Sequence, residues 1–310
     1  RYSPFDPKLT IKGRPVQAIG DPEAESKEQF FKFLGRKTFH DRNDSTVKDQ
    51  LLLDFKENTE VVSKDLVNGL QKAWIFEHYL SRQLNWPMTV YDFPLTFAKD
   101  MVTVTNHYFK KWTRVCRSAD TNIFYRKREH FGLQWTNLAV QHKKCQLSKC
   151  HLIKHSSDAV LRETYKLRED RFSKKSDIWR PTQQLKLIED QVNFELKFKT
   201  GPEQVYARPQ GLGSGRNIRK TFLSKREHRQ QVSAVVSRRQ EEEMTAHSIS
   251  LGLQGKWTGW DECSPPILTW KTLINTRAPK FIAFILNCFT TTVATPELKK
   301  LWGYWEFEGC

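Results

Sequence analysis

The sequence predicts a mainly α chain, in which a small N-terminal β-hairpin precedes a helical bundle and a second, basic helical region. Three observations predict it. Pro4, Pro7, Pro15 and Pro22 keep the first 29 residues out of a long helix, since each fixes φ and lacks an N–H. From about Ser45 the apolar residues recur at steps of three and four, the period of one helix face. Between residues 216 and 239, Arg216, Arg219, Lys220, Lys225, Arg226, Arg229, Arg238 and Arg239 stand against Glu227 alone.

In chain order, residues 9–16 read as a small hairpin or edge strand turning at Gly13. Phe30-Phe31-Lys32-Phe33-Leu34-Gly35 reads as a half-buried strand ending at a glycine that admits positive φ. So small an apolar sheet needs a partner to lie against. Asp44-Ser45-Thr46-Val47 offers an N-cap to a helix whose Leu51, Leu52 and Phe55 share a face. A second helix is predicted over 67–84, with Leu70, Trp74, Tyr79 and Leu80 on its core face, stopped by Trp86-Pro87. A third runs over 96–112, with Phe97, Met101, Val104, Tyr108 and Trp112 inward, and with the other two makes a small bundle.

Residues 114–200 are more polar. Helices are predicted over 138–152 and 186–198, with a shorter helical stretch over 158–167. Gly211-Leu212-Gly213-Ser214-Gly215 is a flexible loop at a subdomain boundary. The basic segment then forms one long helix to about Leu251, where Gly252 and Gly255 loosen the chain. Trp270 leads into further helix, 280–288 reads as a buried helix, and Pro296 opens a last one that Trp302-Gly303 ends. The predicted units are 1–43, 44–116, a connector at 117–210, 211–303 and an unpatterned tail at 304–310.

Composition narrows the function. Lys and Arg number 51 against 35 Asp and Glu, a net charge of +16, which favours a polyanionic partner. The longest apolar stretch, Phe281-Ile282-Ala283-Phe284-Ile285-Leu286, is far short of a bilayer span, so nucleic acid is preferred over membrane. No signal peptide opens the chain, and its 6 scattered cysteines read as reduced thiols of an intracellular protein. Beginning at Arg1 and not at a methionine, it reads as a fragment.

The 216–239 helix is the first candidate for phosphate contact. Lys110-Lys111-Trp112-Thr113-Arg114 is the second, since cations beside an aromatic hold a phosphate and a stacked base, although Trp112 also fits the core face. His142, Cys145, Cys150, His151 and His155 are the best metal candidates. Cys145 and Cys150 splay around the helix and no compact second pair faces them, so a polar helix with incidental Cys and His is preferred and no metal is assigned. The glycine loop lacks the Lys-Ser/Thr ending of a P-loop, and no nucleophile elbow or H-E-x-x-H occurs. These residues describe a binding protein with no catalytic set.

Several landmarks in one order resemble a known family. Asp6-Pro7-Lys8-Leu9-Thr10-Ile11-Lys12-Gly13 and Phe31-Lys32-Phe33-Leu34-Gly35 resemble the end of the polymerase palm in non-LTR (LINE-type) retrotransposon reverse transcriptases. Lys72-Ala73-Trp74-Ile75, Leu84-Asn85-Trp86-Pro87-Met88, Val90-Tyr91-Asp92-Phe93-Pro94 and Tyr108-Phe109-Lys110-Lys111-Trp112 resemble its thumb. Gly211-Leu212-Gly213, the stretch from Gln254 to Trp260, Leu268-Thr269-Trp270-Lys271 and Thr295-Pro296-Glu297-Leu298 resemble the region after the thumb.

The resemblance implies a residual palm hairpin, a thumb-like bundle and a basic RNA-binding region. It implies that Phe31, Phe33, Leu34 and Gly35 belong to a primer grip, and that RNA and an RNA–DNA duplex are held in the nucleus and cytoplasm, with the palm and fingers of the same polyprotein as partner. The parent polymerases use Mg²⁺ on paired aspartates, but no Asp-Asp dipeptide occurs here, so no cofactor is expected in this chain and none of its residues is assigned as catalytic. Relatives continue into a Cys/His zinc knuckle, of which Cys310 alone is a possible first ligand. Thr290-Thr291-Thr292-Val293-Ala294 departs from the Asp-containing segment of relatives. The alternative is a decayed or co-opted helical module that binds other proteins.

Overall fold

The computed structural model describes residues 10–11, 14–15, 30–33, 35–39, 44–171, 179–199, 225–262, 270–293, 295–301 and 303. Among them the chain is mainly α. Two antiparallel two-stranded pairs lie at the N-terminus: β1 (Thr10–Ile11) with β2 (Arg14–Pro15), and β3 (Phe30–Phe33) with β4 (Arg36–Phe39). Phe33 pairs with Arg36, and Gly35 between them takes φ 83°, which a side chain would strain.

The hairpin finds its support in the helical body. The backbone N–H of Lys37 donates to the Tyr91 hydroxyl at 2.8 Å, and the Arg36 guanidinium sits 5.4 Å from the Tyr91 ring centroid. Trp86 Nε1 is 3.3 Å from where a Cβ on Gly35 would stand. Arg36 also lies 3.6 Å from Asp44, so the carboxylate expected to cap the first helix makes no cap bond and faces the hairpin instead.

The helices follow in order: α1 (Ser45–Lys64), α2 (Gly69–Ile75), a π-helical turn (Phe76–Leu80), α3 (Ser81–Gln83), α4 (Asn85–Val90), α5 (Leu95–Thr113), α6 (Asn122–Tyr125) and α7 (Leu138–Lys154). After them come α8 (Ala159–Arg171), α9 (Pro181–Lys199), α10 (Lys225–Ser250), a 3₁₀ segment (Gly252–Glu262), α11 (Trp270–Thr276), α12 (Pro279–Phe289) and α13 (Pro296–Leu301). Pro181, Pro279 and Pro296 each open their helix, where the missing N–H costs nothing.

Three expectations are corrected. The predicted 67–84 helix is broken by the π-turn, whose wider winding shifts the register. Ala73, Phe76, Leu80 and Leu84, at steps of three and four, point inward, while Trp74 and Tyr79 are 53% and 57% exposed. Trp86-Pro87 does not stop this segment: the break falls at Leu84, and Pro87 sits in the first turn of α4, where proline is tolerated. α12 buries only Ile282, Ala283, Leu286 and Phe289 and leaves Phe281 and Phe284 exposed, since one face alone meets the core.

Two apolar clusters hold the body together. The larger joins Phe55, Phe76, Met88, Met101 and Phe109 of the bundle to Phe124, Leu133, Trp257, Trp270 and Leu286 from much later in the chain. Its aromatic centre is Phe109, with Trp135 at 4.5 Å and Phe76 at 5.0 Å between ring centroids. The smaller joins Leu147 and Cys150 of α7, Tyr165 of α8, Leu185 and Ile188 of α9, and Val232, Val235 and Val236 of α10. α7 and α10 run through both, with Leu138 and Met244 in the larger.

Candidate nucleic-acid interface

Two neighbouring clefts, of about 390 and 290 Å³, share Arg82, Gln134 and Trp135 and so form one groove. Its cations are Arg82 of α3, Lys127 and Arg128 of the loop after α6, and Lys144 of α7. Burial holds the Lys144 ammonium below the ordinary lysine range. Glu77 and Glu241 also line the groove, but both are turned to internal work. Glu77 accepts from Thr136 N at 2.6 Å and from Thr136 Oγ1 at 2.8 Å, and burial raises its pKa despite those donors. Glu241 pairs with the buried Arg126 at 3.1 Å.

One end of the groove carries exposed aromatics. Trp74 stacks on His78 with centroids 4.3 Å apart and planes at 22°, and Tyr79 meets Trp74 edge-on at 6.0 Å. His78 Nδ1 lies 2.9 Å from the Trp74 carbonyl, which accepts its proton and fixes the stack. The exposure follows from the face the core takes: Ala73, Phe76, Leu80 and Leu84 turn inward, so Trp74 and Tyr79 are left outside. Further in, the Tyr125 hydroxyl donates to Asn106 Oδ1, and burial raises its pKa, so it stays neutral.

The residues singled out from sequence are distributed differently. Gly35 sits at the hairpin turn; Phe31 and Phe33 lie in β3, with nothing described of their side chains, and Leu34 lies outside the described residues. At the end of α5, Lys110 folds back so that its Nζ donates to the Arg117 carbonyl at 2.6 Å, and burial lowers its pKa. Lys111 is exposed over the Tyr108 ring at 5.8 Å, and exposed Arg114 ends the helix at φ 57°. Trp112 is no stacking platform: it is buried, and its Nε1 donates to Ser63 Oγ at 3.2 Å. Arg226 is exposed and Arg229 half-buried near the start of α10; Lys225 is described only in its backbone, and Arg216, Arg219 and Lys220 lie outside the described residues.

The α5 end packs on α12, with Asn287 donating to the Arg114 carbonyl at 3.1 Å, whereas the first half of α10 belongs to the smaller cluster. The two predicted basic groups thus sit on different clusters. Sequence reasoning missed Arg82, Lys127, Arg128 and Lys144. The run Tyr125-Arg126-Lys127-Arg128, cations beside an aromatic, was the available signal.

Of the five metal candidates, His142, Cys145 and Cys150 go separate ways, whereas His151 and His155 stay together. His142 is buried, with Nε2 3.1 Å from the Phe93 carbonyl, and burial lowers its pKa to about 4. Cys145 Sγ faces Asn85 at 3.9 Å, and Cys150 lies in the smaller core. Among the described residues, no helix is long and apolar enough to cross a membrane. Compared with protein-family models, with curated proteins and with solved structures, the chain finds no match in any of the three.

Proposed function

We propose that the chain is a nucleic-acid-binding segment of a LINE-type reverse transcriptase that holds template RNA and an RNA–DNA duplex. The observation that carries this reading is the exposed Trp74–His78 stack at the mouth of a groove lined by Arg82, Lys127, Arg128 and Lys144. An aromatic face takes a base and the neighbouring cations take its phosphates. The +16 net charge supplies the long-range attraction. The hairpin at Gly35, supported by Tyr91 and Trp86, is where a primer grip would lie under this reading.

On this reading no polymerisation step is assigned to this chain. Metal-dependent nucleotide transfer requires paired carboxylates, and the one cluster of three metal-binding side chains among the described residues is His151, His155 and Glu189. Primer extension with Mg²⁺ should yield no product. Synthesis would overturn this clause and leave the binding reading intact.

Binding is tested by fluorescence anisotropy with a labelled stem-loop RNA across a salt series. Four groove cations predict a slope of log K against log salt near −3, at about 0.7 per phosphate contact. Arg82→Glu, Arg128→Glu and Lys144→Glu together should flatten it by about two units. Trp74→Ala, at an exposed site, should weaken single-stranded RNA roughly 5- to 100-fold. If reversal at Arg219, Lys220, Arg226 and Arg229 abolishes binding while the groove variants bind normally, the interface is the basic segment 216–239 and not this groove. Affinity indifferent to salt supports the protein-interaction alternative.

A further inference from the structure

The end of α7 carries an arrangement that the spacing along one helix could not reveal. His151 and His155, four apart, bring their rings to 4.5 Å between centroids. Glu189 of α9 reaches the same place, with its Oε1 3.4 Å from His155 Nε2. One ligand atom from each of the three side chains lies within 4.8 Å of the others. His151 and Glu189 are buried, whereas the His155 side chain is 41% exposed, so the cluster is walled on one side and open on the other.

We propose that His151, His155 and Glu189 form a Zn²⁺ site with two imidazole nitrogens, one carboxylate oxygen and a solvent-facing fourth position. Tetrahedral bonds of about 2.1 Å set neighbouring ligand atoms about 3.4 Å apart, the separation His155 and Glu189 already have. His151 presents its ligand atom within 4.8 Å of both. Two imidazoles with a single carboxylate favour zinc and its neighbours over Mg²⁺ or Ca²⁺, which take oxygen ligands. Lys154 pairs with the other carboxylate oxygen, Oε2, and so holds Oε1 toward the histidines as an outer-shell partner. Its positive charge weakens the site relative to one built of cysteines.

The consequence is structural. The ion ties α7 to α9 beside Leu147, Cys150, Leu185 and Ile188, a cluster too small to be robust on its own. His142 and Cys145 take no part, being turned to Phe93 and Asn85.

The test titrates the metal-stripped full chain with ZnCl₂ by calorimetry and follows its melting. One ion per chain should bind. At a free concentration 100-fold above Kd the folded-to-unfolded ratio rises about 100-fold, moving the midpoint up by roughly 4 °C. His155→Ala, at an exposed position, and Glu189→Gln should each abolish the heat and the shift, with His155→Ala melting like the wild type when metal-free. Co²⁺ in the wild-type site should show the intense visible bands of a four-coordinate complex. Absence of binding, binding undiminished in His155→Ala, or a Co²⁺ spectrum identical to the aqueous ion would each overturn the proposal.

Discussion

Glu241→Ala should cost the fold about 3 kcal/mol. Arg126 is 3% exposed and Glu241 14%, and Arg126 Nε donates to Glu241 Oε1 at 3.1 Å. Glu241 Oε2 also accepts from the Lys127 backbone N–H at 3.4 Å. Removing the carboxylate strands a buried guanidinium, a change that typically costs ~3–5 kcal/mol. The face of Trp257, 5.0 Å from the guanidinium, remains and offsets part of that by about 1 kcal/mol. An exposed pair such as Lys166–Glu163, 67% and 65% exposed, serves as the contrast, and Glu163→Ala should cost well under ~1 kcal/mol. Urea denaturation at pH 7 reads both, with the Glu241→Ala midpoint falling by about 1 M for an m-value near 3 kcal/mol/M. The double variant Arg126→Met with Glu241→Leu should recover most of the loss, because no buried charge is then left alone. A single-variant loss below ~1 kcal/mol would refute the reasoning, since it would mean water already screens the pair.

Two further predictions concern the folded body. His142 is held neutral in the fold, with its pKa lowered to about 4 by burial, while the unfolded chain protonates it near 6.5. The unfolded state therefore binds more protons below pH ~6.5, so stability falls as pH drops from there toward about 4, by up to roughly 3 kcal/mol, and is flat in this term above. Denaturant midpoints at stepped pH should show a shallower fall for His142→Gln, and equal slopes would refute the assignment. Gly69→Ala places a methyl 1.8 Å from the Trp112 carbonyl oxygen, a backbone atom that cannot yield cheaply. It should lower the melting midpoint despite alanine's better helix propensity, and an unchanged or raised midpoint would show that the α2–α5 approach is looser than described.

Part of the candidate site was legible in the sequence. The cations were visible as a surplus, and Trp74 was visible as an aromatic in a helical segment. Its direction was not, because two helical faces are available at three- and four-residue steps and the core takes the one carrying Ala73, Phe76, Leu80 and Leu84, which turns Trp74 out. Lys110 illustrates the opposite error. It reads as a phosphate contact until its ammonium is seen bonded to the Arg117 carbonyl.

By itself the sequence determined that the chain is mainly helical, where most of the helices lie and where the hairpin turns. Proline at the opening of α13 and glycine at the Gly35 turn act through their own backbone or through residues three or four away, whereas the openings at Pro181 and Pro279 lie ahead of the predicted 186–198 and 280–288 helices. The tertiary structure alone decided which face each helix buries and which side chains meet. Arg126 finds Glu241 115 positions away, and His155 finds Glu189 34 positions away. Local propensity carries no information about such separations. They are set when the apolar faces of α7, α9 and α10 close over shared cores, and the polar groups carried with them must then pair where they land.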